Sequence, residues 1–101
     1  MNSPTQRSLA YLRKLGYTAI VVERWNPHAG VRHDLWGILD ILAIKPNETL
    51  GVQCTDATNV SKRIAKIADH ENTPKLREAG WAIQVHGWTK GKSEPRVVDI
   101  S

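Results

Sequence analysis

Gly37-Ile38-Leu39-Asp40-Ile41-Leu42-Ala43-Ile44, the polar break Lys45-Pro46-Asn47-Glu48, and the second run Leu50-Gly51-Val52-Gln53-Cys54-Thr55 decide how this chain folds. Two nearly continuous apolar runs joined by a turn read as the arms of a β-hairpin covered on both faces. Strands covered on both faces need helices on either side, so the fold class is α/β. Asp40 is out of place in the first run, because burying an unpaired carboxylate costs several kcal/mol and Val or Ile would fit more cheaply. Gln53 is the next polar side chain in a strand, and it falls where the second arm passes beside the first. Two oxygen donors on adjacent strands form a corner for a hard cation, and Mg²⁺ needs only one or two carboxylates because it keeps several waters. The same residues also suit a plain structural role, with Asp40 paired to an Arg or Lys and Gln53 half exposed.

Upstream of this stretch, Ser3-Pro4-Thr5-Gln6 reads as a helix start, with a Ser cap, Pro in the first turn and Gln to close a capping box. Leu9, Leu12 and Leu15 supply an apolar stripe and Gly16 ends the helix. Tyr17 to Trp25, centred on Ile20, Val21 and Val22, predicts the first strand, and Asn26 to Asp34 is expected to lie outside regular structure. Ile38 to Ile44 and Leu50 to Thr55 are the second and third. Downstream, Val60, Ile64, Ile67 and Ala68 recur at helical spacing and place Lys62, Arg63 and Lys66 on the opposite, basic face. Thr73-Pro74 opens a shorter helix closed by Gly80, Trp81 to Val85 is a fourth strand, Thr89 to Pro95 a turn, and Arg96 to Ile100 a fifth strand. The order predicts an antiparallel meander joined in parallel by the strand after the long helix, a mixed sheet flanked by helices.

A chain of 101 residues supports one core, hence one domain over 1–101. Its 41% hydrophobic and 24% charged residues are those of a folding chain. Cys54 is the only cysteine, which excludes a disulfide framework and a cysteine-rich zinc site and suits the reducing cytoplasm. No segment approaches the roughly 20 apolar residues of a membrane span, and the polar N-terminal stretch does not read as a signal peptide. A net charge of +4 and a pI near 9.5 favour a polyanionic partner. Neither a Gly-rich phosphate loop nor a Ser-His-acid arrangement is evident, which argues against nucleoside triphosphate binding and serine-type hydrolysis.

The Gly37–Ile44 run, the turn, and Val52-Gln53-Cys54-Thr55 resemble the core of the PD-(D/E)XK nuclease superfamily. More narrowly, they are similar to Holliday-junction-resolvase-like and virus-type replication-repair nucleases and to small phage or prophage proteins. The resemblance covers about residues 3 to 85 and implies a restriction-endonuclease-like αβββαβ core. It further implies Asp40 and Gln53 as ligands of Mg²⁺, for which Mn²⁺ would substitute, the Cys54 carbonyl as a third ligand, DNA as substrate, and a homodimer in the cytoplasm, the host's for a phage-encoded chain. Gln6 stands where related resolvases carry a helix-borne Glu. The family's lysine two places after the second ligand falls at Thr55, which carries no charge. Catalysis would then need Lys66 or Lys62 from the following helix, with Lys66 the better placed.

His28, Arg32, His33 and Asp34 form a second constellation before the Asp40 run, suited to gripping phosphate, with His33 or Asp34 also open to a place in a metal shell or as proton donor, or simply to lying on the surface. With Arg32 and His33, the cations Lys62, Arg63 and Lys66 are the expected nucleic-acid contacts. A zinc site from His28, His33 and Asp34 lacks a strong fourth ligand. Among Trp25, Trp36, Trp81 and Trp88, Trp81 is expected in the core and Trp36 and Trp88 to stack on unpaired bases. Two functions follow: a metal-dependent DNA phosphodiesterase, or the same fold without catalysis, binding nucleic acid or a protein. A phage assembly adaptor is the third reading.

Overall fold

In the computed structural model, which describes residues 3–101 apart from the side chain of Arg32, the chain starts as read. The Ser3 hydroxyl accepts the Gln6 N–H at 3.2 Å, and α1 (Pro4–Lys14) follows with Pro in its first turn. Gly16 then turns the chain with φ +96°, a conformation that costs a glycine little.

Strand β1 (Thr18–Val21) pairs antiparallel with β4 (Ile41–Lys45), which pairs antiparallel with β5 (Glu48–Asp56). A 3-10 turn (Ala57–Asn59), α2 (Val60–Ala68) and α3 (Thr73–Glu78) cross over to β6 (Ala82–Trp88), which lies parallel to β5. β7 (Arg96–Asp99) closes the sheet antiparallel to β6, giving the order β1-β4-β5-β6-β7. The mixed α/β sheet is therefore as expected.

The first strand is shorter than expected and the segment after it is more regular. Tyr17–Trp25 is not one strand: β1 stops at Val21, and Arg24–Asn26 (β2) pairs instead with Val31–His33 (β3) in a separate hairpin. Asn26 makes the turn, its side-chain oxygen accepting the N–H groups of His28 at 3.0 Å and Ala29 at 3.2 Å. Its carbonyl takes the Gly30 N–H at 2.8 Å. The turn signals were legible, but a local Asx turn closes a hairpin as well as it opens a loop. The second strand begins at Ile41 and not at Ile38, because Trp36 and Gly37 both take positive φ and fold Asp34–Leu39 into a tight turn. The fourth runs on to Trp88.

Each face of the sheet carries its own core. Leu9 and Leu12 of α1 pack on Ala19, Ile41, Ala43, Leu50, Val52 and Cys54. Val60, Ile67 and Leu76 of the crossover pack on Ile38, Leu39, Ile83 and Val85. Glycine is needed at two contacts of the second layer: a Cβ on Gly51 would lie 2.7 Å from Leu39 Cδ1, and one on Gly87 would run into Val60 Cγ2. Among the described residues no helix is long and apolar enough to cross a membrane.

Candidate cation site

Asp40 sits at a bend just before β4. Its N–H donates to Val52 O on one side, while its carbonyl accepts from Val22 N on the other, both at 2.8 Å. In a regular strand the two groups of one residue face the same neighbour, so this split marks a kink, the kind of local break that re-aims a side chain. The register that pairs Ile41 with Val52 sets Asp40 beside Gln53, as the hairpin reading required. Asp40 Oδ2 accepts from the Gln53 side-chain Nε2 and from the Cys54 backbone N–H, the latter at 2.8 Å.

Asp34, from the turn after β3, comes to the same place. Its Oδ2 is 3.4 Å from Gln53 Nε2 and 3.8 Å from Lys66 Nζ. The Gln53 amide thus donates toward both carboxylates and presents its oxygen to Lys66 Nζ, 3.5 Å away. Glu23, between β1 and β2, completes the group: one carboxylate oxygen each from Glu23, Asp34 and Asp40 lie within 4.8 Å of one another. Oxygens bound to one hard cation at about 2.0–2.6 Å are separated by no more than about 4 to 5 Å, so the donor set fits Mg²⁺, Mn²⁺ or Ca²⁺.

Burial gives this cluster its chemistry. Asp40 is 5% exposed, and removal from water, with the hydrogen bond and negative charge of Asp34 next to it, pushes its pKa up from the ordinary carboxylate value to about 7. The Cys54 and Gln53 hydrogen bonds pull the other way and do not offset burial. Near neutral pH Asp40 therefore stands between its protonated and charged forms.

The other residues singled out from sequence divide. Lys66 reaches the cluster; Lys62 and Arg63 line, with Asn59 and Lys66, an open depression of about 450 Å³ beside it. Cys54 contributes its N–H, and its thiol is buried with a pKa raised to about 12, chiefly by that burial. Thr55, where the resemblance places a lysine, is buried. Gln6 is exposed on α1, and the third carboxylate of the cluster is Glu23. His28 and His33 are exposed on the hairpin, and the Arg32 side chain lies outside the described parts. Trp88 does not border the loop as an open stacking face: it is 5% exposed, its Nε1 donates to Ser8 Oγ at 2.7 Å, and the Arg7 guanidinium lies 4.2 Å from its ring centroid. Trp36 leans on Trp81, ring centroids 5.9 Å apart.

Glu23 escaped the sequence reading because it looked like the polar end of a strand. The signal was there in the turn. Once Asn26–Gly30 closes a hairpin that pairs Arg24 with His33, Glu23 and Asp34 become its two roots. No protein-family model, curated protein or solved structure matches this chain.

Proposed function

We propose that the chain is a nuclease-like domain of the PD-(D/E)XK plan that hydrolyses DNA phosphodiester bonds with Mg²⁺, or with Mn²⁺ in its place. The observation that carries this reading is the convergence of Glu23, Asp34 and Asp40, from three separate segments, next to Lys66. Oxygen donors gathered this closely are the kind of set that a hard divalent cation takes. The order of elements supports it as well: a helix, a three-stranded meander, a crossover helix and a parallel strand.

Glu23, Asp34 and Asp40 would hold the cation. When bound, it supplies a water of lowered pKa and neutralises charge on the phosphoryl group. Gln53 Nε2 and the Cys54 N–H fix the Asp40 carboxylate, so that the donor facing the cation does not wander. Lys66 would take the role that Thr55 cannot, its ammonium held beside the cluster by Gln53 Oε1 and Asp34 Oδ2. Lys62 and Arg63, in the depression on the same helix, grip the flanking phosphates. The working form is a twofold dimer in the cytoplasm. Its support is the small size of one chain against a duplex and the open apolar half of the sheet, where Ile20 and Ile44 are about half exposed.

A second reading has its own support. Gln53 stands as a neutral donor where a carboxylate would bind a cation better, and Thr55 leaves the strand without a lysine. A binding module on the same fold would have both features. The two part in one assay: end-labelled single-stranded, branched and duplex DNA incubated with Mg²⁺, Mn²⁺ or chelator. The enzyme cleaves with cation and is silent with chelator. Binding without cleavage under every condition transfers the protein to the second reading.

A further inference from the structure

Two of the three converging acids are the residues that flank the small hairpin. Glu23 precedes β2 and Asp34 follows β3, so Arg24–His33 rises directly from the site and is anchored by it at both ends. This stretch contains two arginines and two histidines and no acidic residue, whereas its roots are all acid. Arg24, His28 and His33 are exposed. A cationic projection on a cation-binding base is complementary to a strand whose phosphate sits at the base and whose neighbouring phosphates run along the projection.

Trp25 adds a second, different observation. It is 59% exposed, the most open of the exposed tryptophans, and it has no ring partner among the described residues. Trp88 is buried against Ser8 and Arg7, and Trp36 and Trp81 lean on each other. At about 3.3 Å per strand residue, Trp25 stands about 7 Å along the chain from Glu23, within reach of a base on the nucleotide at the site or the next one. An indole face can stack on a base only where that base is free of its own duplex neighbours.

We infer that the β2–β3 hairpin reads the substrate of this site, with Trp25 stacking on an unpaired base beside a phosphate that a cation at Glu23, Asp34 and Asp40 would hold. The substrate class is therefore DNA with unpaired bases at the site. This rests on the DNA-binding half of the reading given above, not on cleavage, and narrows it.

The test measures affinity by fluorescence anisotropy for a single strand, a fork and a duplex of equal length, in Ca²⁺ buffer, for wild type, Trp25→Ala and Trp25→Phe. Stacking on one base is worth about 1–3 kcal/mol, so Trp25→Ala weakens single-strand and fork binding by roughly 5- to 100-fold, leaves the duplex unchanged, and Trp25→Phe recovers most of the loss. If Trp25→Ala binds all three DNAs as wild type does, the hairpin does not read bases and belongs to a protein-facing surface. A wild type that binds no DNA overturns both this inference and the nuclease reading. A Trp25-dependent preference without any cation-dependent cleavage sustains the inference and removes the nuclease reading alone.

Discussion

Gln53 and Asp40 show how much turns on single atoms here. The Gln53 amide nitrogen occupies a place between Asp40 and Asp34 in which a positive charge would be better accommodated. Replacing it with Glu exchanges a donor for a fourth acceptor. Gln53→Glu should therefore tighten Mn²⁺ binding about tenfold or more while lowering the thermal midpoint of the cation-free protein, by calorimetric titration and by melting with and without chelator. For Asp40 itself, alanine is a poor test, since it would strand the buried Cys54 N–H at a cost of about 1–3 kcal/mol. Asparagine keeps an oxygen for that N–H and loses the charge. Asp40 was legible in the sequence as a carboxylate in an apolar run. Glu23 was not, since its meaning depends on a pairing made by residues on either side of it.

Helix α2 and the sheet beneath it carry the next prediction. Lys62 and Lys66 share one basic face and were nearly equivalent as read from periodicity, because spacing places residues on a face and says nothing of what that face meets. Packing of Val60 and Ile67 on the sheet resolves them, and Lys66 is the one whose ammonium reaches Gln53 and Asp34. Lys66→Ala should lower the cleavage rate at saturating DNA by on the order of a hundredfold, whereas Lys62→Ala mainly raises the DNA concentration needed for half-maximal rate. Equal effects of both on rate would mean that α2 acts only as a phosphate-binding face. The elements themselves were largely legible: caps, turns and alternation located α1, α2, α3 and the five strands of the main sheet to within a few residues. The β2–β3 hairpin was missed because its three-residue strands are too short for periodicity to show.

At the scale of the whole molecule, two buried titrating groups on opposite faces pull stability in opposite directions. Asp40 has its folded pKa raised to about 7, so the folded state holds this proton more tightly than the unfolded chain; that stability is present in acid and is lost as pH rises from about 4 through 7. His86, fully buried between α1 and the sheet, has its pKa lowered by burial to about 4. Gln84 Oε1 can only accept, so the proton of neutral His86 sits on Nε2 and Nδ1 accepts from Ser8. His86 therefore contributes stability above its ordinary pKa near 6.5, and this is lost as pH falls through 4. The two slopes oppose one another between about pH 4 and 6.5. Asp40→Asn should remove one of them. In urea titrations it should be more stable than wild type at pH 8 without cation, and lose about 3 kcal/mol on acidification to pH 4, a steeper decline than the wild type shows.

The most direct test of the cation site is Mn²⁺ titration of the wild-type protein and Asp40→Asn by calorimetry at pH 6, 7 and 8. Because Asp40 must give up its proton to bind, wild type should take up Mn²⁺ with affinity rising toward tenfold per pH unit below about 7 and levelling above it. Asp40→Asn should bind at least tenfold more weakly and lose the pH dependence. Equal affinity in the two proteins at all three pH values would contradict the assignment of Glu23, Asp34 and Asp40 as the site on which the proposed chemistry rests.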